Sequence, residues 1–110
     1  MKKIEELPAC PVATSVQLIG NKCKPLILRE LIKGTQHFKF LLYSIDGISA
    51  KVLTENLRQM EEDGLVKREI FAEVPLRVEY SLTHLGWKLR PLIDALADFG
   101  KIYKEEAKKR

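Results

Sequence analysis

Several things are missing from this chain of 110 residues. No apolar run approaches the roughly 20 residues needed to cross a bilayer. Lys2 and Lys3 are followed by Glu5, Glu6 and Pro8 rather than by an apolar stretch, so this start does not read as a signal peptide. A cytoplasmic protein is expected. Cysteine is scarce, with only Cys10 and Cys23. They are too few and too widely spaced for a structural zinc site, and His37 and His84 do not complete a ligand set by spacing. A standing disulfide is not expected in a cytosolic chain. No Gly-rich loop is suited to cradle phosphate, and no nucleophile, base and orienting group recur at usable spacing. The chain therefore does not read as an enzyme, and no cofactor or metal is expected. Internal repeats and low-complexity segments are also absent.

What remains describes one soluble domain with one core. Hydrophobic residues make up 45% and charged residues 31%. The net charge of +4 is compatible with nucleic acid but mild. With 15 acidic residues, any basic surface must come from segregation of charge.

One stretch shows such segregation. Gly47-Ile48-Ser49 through Gly64-Leu65-Val66 reads as a single helix with an abrupt start and stop. Ser49 is a suitable N-cap, and Gly64 suits the left-handed position after a helix end. Leu53, Leu57 and Met60 recur at three- and four-residue steps and share one face. Lys51, Thr54, Glu55 and Arg58 fall opposite. Glu61, Glu62 and Asp63 are confined to the C-terminal end. A helix entering a DNA groove by its N-terminal half would keep those carboxylates away from phosphate. The plain alternative is an amphipathic helix with a solvated face.

The flanking segments give that helix a context. Residues 1–9 read as a loose arm. Pro11 then suits the first turn of a helix whose apolar stripe is Val12, Val16 and Ile19, ending at Gly20. Asn21 or Lys24 should cap the next helix, with Pro25 in its first turn. Leu26, Ile27, Leu28, Leu31 and Ile32 make that helix apolar over much of its circumference, so it should be buried. Phe38, Leu41, Leu42 and Ile45 mark a short third helix, and Asp46-Gly47 is a turn signal. This order is a helix-turn-helix arrangement. Val66 to Phe71 follows, rich in β-formers. Val78, Tyr80 and Leu82 then alternate with Arg77, Glu79 and Ser81 as in a half-buried strand. The two strands, linked by Ala72-Glu73-Val74-Pro75-Leu76, make a wing. Thr83 should cap the last segment. There Leu85, Leu89, Leu92, Leu96, Phe99 and Tyr103 form a coiled-coil-like seam, broken near Leu89 by Pro91. So long a stripe exceeds what a small domain needs for its own core, and a second copy of the chain is the expected partner.

The fold class is therefore α+β, mainly α. It is a single winged helix-turn-helix domain over residues 1–110. The N-terminal arm and helix occupy 1–20, the helix-turn-helix core 21–65, the wing 66–82 and a dimerisation helix 83–110. Lys51, Thr54 and Arg58 are expected to face a major groove, with Ser49 toward a phosphate. Lys67, Arg68 and Arg77 are expected to meet DNA backbone from the wing. Val12, Val16, Ile19, Leu89, Leu92, Leu96, Phe99 and Tyr103 are expected to join two subunits. A two-fold dimer implies an inverted-repeat site. The alternative is a winged helix whose 51–58 face meets another protein.

Particular strings sharpen this reading. They include Cys10-Pro11-Val12, Ile19-Gly20-Asn21-Lys22, Gly47-Ile48-Ser49, Leu53-Thr54, Glu61-Glu62-Asp63-Gly64-Leu65-Val66, Glu73-Val74-Pro75 and Arg77-Val78-Glu79-Tyr80-Ser81-Leu82-Thr83. Together they resemble the HxlR-type winged helix-turn-helix regulators of prokaryotes, from Cys10 to about Gly100. The resemblance implies homodimeric DNA-binding transcription factors, often answering oxidants or electrophiles, several through a cysteine at the position of Cys10. The chain departs from the pattern at Cys23, where the family usually carries tryptophan. Cys23 is then a smaller apolar filler or a second thiol. Cys10 has three readings: a passive small hydrophobe, a redox sensor, or a metal or ligand contact. For sensing, a helix N-terminus or a nearby cation should lower its pKa.

Overall fold

The computed structural model describes residues 1–110. After a 3-10 turn at Ile4–Glu6, the chain runs α1 (Pro11–Ile19), α2 (Lys24–Ile32), β1 (Gln36–His37), α3 (Phe38–Ser44), α4 (Ala50–Glu62), β2 (Val66–Phe71), β3 (Arg77–Leu82), α5 (His84–Trp87) and α6 (Arg90–Lys108). The core is organised on α2, where Ile27, Leu28 and Leu31 are at most 1% exposed. Leu41 of α3, Leu53, Leu57 and Met60 of α4, and Val66, Tyr80 and Leu82 of the wing root close around them. Asn21 accepts from the backbone N–H groups of Cys23 and Lys24 through its side-chain oxygen, at 3.0 and 2.8 Å. It thus does the capping, and Lys24 is the first residue of the helix.

The sheet has three antiparallel strands in the order β1-β3-β2. The third strand was not expected. It is only two residues long, pairing Gln36 with Tyr80 and His37 with Glu79, and two residues carry no readable alternation. The hairpin itself pairs Val66 with Leu82 through to Phe71 with Arg77. Its root is buried, while Val74 and Leu76 at the tip are exposed.

Three expectations need correction. The arm is not loose, since Lys2 approaches the Asp63 carboxylate at 3.6 Å and Met1 packs beside Gly64. Ile19 is buried and belongs to the core, unlike Val12 and Val16 on the same helix. The C-terminal seam divides in two. Leu89 is half-buried against the core and Ile93, one turn on, is buried. Leu92, Leu96, Phe99 and Tyr103 point away, with Phe99 and Tyr103 63% and 67% exposed. The helical segment breaks near Leu89 as expected, between α5 and α6, and Pro91 takes the first turn of α6, where its missing N–H costs nothing. α6 therefore projects from the body. The radius of gyration is 15.6 Å, against about 13 Å for a compact chain of this length.

Candidate nucleic-acid interface

The site is built on α4. The Ser49 hydroxyl oxygen accepts from the Val52 N–H at 3.1 Å, which satisfies one orphan donor and leaves the hydroxyl proton free to donate. At the other end the Leu65 N–H donates to Met60 O at 2.9 Å and the Gly64 N–H to Glu61 O at 3.1 Å. Gly64 has φ +79°. This is a Schellman closure, and it places glycine where a side chain would be strained. The underside of α4 is anchored by Leu53, Leu57 and Met60.

On the opposite side Lys51, Thr54, Glu55 and Arg58 are all exposed. The Thr54 hydroxyl donates to Ala50 O at 2.8 Å, so it presents oxygen lone pairs outward as an acceptor. No ion pair in the structure includes Lys51 or Arg58. Both are free cations on a helix held at both ends.

The wing cations are arranged differently. Lys67 approaches Glu69 at 3.6 Å and Arg68 approaches Glu61 at 3.8 Å. Such long, exposed pairs are weak and readily exchanged for another anion. Arg68 lies on the core-side face of the hairpin, in register with Tyr80. With Thr54, Arg58 and Glu61 it lines a cleft of about 490 Å³ between α4 and the wing. Burial pushes the Tyr80 hydroxyl above its ordinary range; the Arg68 charge opposes the shift and Glu61 adds to it. Arg77 is the exception among the expected contacts. It donates to Glu73 at 2.7 Å and also to Glu79, and its guanidinium stacks 3.9 Å over the Phe71 ring. The bond to Glu73 first, then the charges of Glu73 and Glu79, raise its pKa further. In this structure the cation is engaged within the wing itself.

The remaining expected residues sit apart from this surface. Cys10 is exposed at the N-cap position of α1, and its side chain makes no capping bond. Cys23 is half-buried and packs against the core. Val12 and Val16 meet Leu92 and Leu96 across an open apolar cleft of about 430 Å³, floored by Ile19. No helix is long and apolar enough to cross a membrane.

Sequence reasoning missed one pair beside the site. Asn56 is 7% exposed, and its side-chain oxygen accepts from the Asn21 amide at 2.8 Å. A signal existed, since Asn56 falls between Leu53 and Leu57 on the buried side of α4.

A scaffold helix, a short second helix and a third helix capped at both ends, with a hairpin stitched to its end, constitute a winged helix-turn-helix regulator. Residues 18–108 match the HxlR-like helix-turn-helix family, and the chain belongs to that family. It is 38% identical over 105 residues to the HTH-type transcriptional regulator YdeP of Bacillus subtilis, spanning 96% of this chain and 82% of that one. Among solved structures, the redox regulator HypR superposes in its reduced form with a TM-score of 0.85 at 32% identity, covering 92% of this chain and all of that one. Its oxidised form gives 0.80 at 36% identity, covering 84% and 95%. The diamide-treated YodB of B. subtilis gives 0.70 at 30% identity, covering 86% and 94%. These are transcriptional regulators, not enzymes.

Proposed function

We propose that this chain acts as a homodimer reading an inverted-repeat operator, with α4 in the major groove of each half-site. The observation that carries the proposal is α4 itself: capped at both ends, anchored beneath, and presenting Lys51 and Arg58 without ion-pair partners. Arg58 is the direct reader, since a guanidinium can bind guanine O6 and N7 together. Lys51 and Thr54 share its face, and Ser49 with the first backbone N–H groups meets a phosphate. Lys67 and Arg68, held only by weak pairs, turn to the DNA backbone. Dimerisation uses Val12 and Val16 with Leu92, Leu96, Phe99 and Tyr103, an apolar surface that the body leaves uncovered. Two-fold symmetry sets half-site centres about 10 bp apart or a multiple of that.

Cys10 is the candidate switch. Likeness to redox regulators supports that role, as does the exposure of Cys10 at the head of α1. Selection of bound fragments from genomic DNA, with and without diamide, tests the whole reading. Enrichment of one inverted repeat at physiological salt is expected, altered by diamide in the parent and not in Cys10→Ser. Sedimentation should show a dimer at micromolar concentration. Binding that saturates on random DNA at low salt and vanishes near physiological salt would replace this reading with a protein-docking module.

A further inference from the structure

We infer that Asn21 and Asn56 form a positioning clamp that sets the rotation of α4 about its own axis, and so which of its side chains a groove meets. The inference rests on the proposal that α4 reads DNA. Its basis is a hydrogen-bond arrangement with only one solution. The Asn21 side-chain oxygen faces two donors, the N–H groups of Cys23 and Lys24. Its NH2 group must therefore face α4, where it donates to the Asn56 oxygen at 2.8 Å. Asn56 in turn donates through its own nitrogen to Val52 O at 2.8 Å. Turning over either amide would set donor against donor and acceptor against acceptor, so the orientations are dictated by the partners.

Packing alone defines α4 less finely. Leu53, Leu57 and Met60 decide which half of the helix is buried, but aliphatic contacts are non-directional and tolerate small rotations. A hydrogen bond does not. An amide about 6 Å from a helix axis moves roughly 1 Å when the helix turns by about 10°. Directed along the bond, that displacement carries a 2.8 Å contact out of range. The same turn moves the Arg58 guanidinium by at least as much, enough to spoil a bidentate contact with a base. Asn21, though exposed, is tied by two accepted N–H bonds to the start of α2, the most buried helix of the domain. The reading helix is thus indexed to the scaffold helix by one amide.

Two substitutions separate clamp from fold. Asn21→Asp keeps an acceptor for Cys23 and Lys24 but loses the donor to Asn56. Asn56→Asp keeps an acceptor for Asn21, loses the donor to Val52 O and sets a nearly buried carboxylate oxygen against that carbonyl. Base preference is read by selection from randomised half-sites, alongside melting temperature. Asn21→Asp should lower the ratio of specific to non-specific affinity about tenfold and flatten preference at the bases facing Arg58. Asn56→Asp should weaken binding to all sequences yet keep the parental preference. Parental preference in Asn21→Asp, whatever its melting temperature, would overturn the clamp. Should the variants not fold, side-chain amide NMR of the parent decides: the NH2 groups of Asn21 and Asn56 should exchange slowly with water, and free exchange overturns the inference. A parent with no sequence preference also overturns it, and protected amides would then locate the failure in DNA reading rather than in the pair.

Discussion

Helix α4 and the wing both carry cations, and they treat them in opposite ways. On α4, Lys51 and Arg58 stand alone, while Leu53, Leu57 and Met60 beneath them are buried. On the wing, Lys67, Arg68 and Arg77 all have carboxylate neighbours, while Ile70, Val74 and Leu76 toward its tip are exposed. The difference teaches where rigidity comes from. A helix with a core under it needs no charge pairing to hold its shape, so its cations stay available. The distal hairpin has no core under it, and Arg77 with Glu73, Glu79 and Phe71 supplies the local cohesion.

The comparison breaks first if the anchoring is wrong. Leu57→Ala should cost about 3 kcal/mol in urea unfolding, and Ile70→Ala less than about 0.5 kcal/mol. Equal losses would mean that the wing is as firmly seated as α4. Next comes the use of the cations. Arg58→Ala should reduce discrimination at one base position of each half-site by about 1–3 kcal/mol, measured by competition between operator variants. Loss spread evenly over all positions would make Arg58 a phosphate contact instead.

The wing itself divides into root and tip, and pH sharpens that division. Tyr80 at the root has a raised pKa, so the folded state holds its proton after the unfolded chain has released it. Stability from this group is complete below the ordinary value of 10.0 and falls as pH rises from there to the folded value. Tyr80→Phe should flatten that alkaline decline; an unchanged decline would assign it to other groups. The smallest effect belongs to the tip. Arg77→Ala should leave global stability and base preference near parental and raise amide exchange only around residues 71–77. A drop in DNA affinity for all sequences, with a lower salt slope, would return Arg77 to the backbone contacts.

Much of this arrangement was legible in the sequence because it is local. Ser49, Gly64 and the spacing of Leu53, Leu57 and Met60 identify α4 and its limits, Thr83 identifies the start of α5, and alternation identifies β3. What escaped depends on contacts distant along the chain. Ile93 reads like its neighbour Leu92 until the direction of α6 separates them. Ile19 reads like Val16 until α1 meets the core. Gly86 gives no local signal, yet a Cβ there would lie 2.1 Å from the Leu65 carbonyl oxygen. The Arg77 pairs are the local exception, joining the strand to the loop before it and to a residue two places on. The Asn21–Asn56 bond spans 35 positions.

Thr83 has a consequence of its own. Its hydroxyl donates to Gly64 O at 2.6 Å and accepts from the Gly86 N–H at 3.0 Å, while its N–H donates to Leu65 O at 3.1 Å. The end of α4, the exit of the wing and the start of α5 therefore meet at one residue, and α6 begins three residues beyond α5. In the proposed dimer, a change in how two α6 helices cross reaches both reading heads through this joint with little slack. Stiffness there translates into intolerance of operators whose half-sites lie a base pair too near or too far. In that proposed dimer the gap between half-sites is then transmitted through a threonine at the joint rather than through the exposed face of α4.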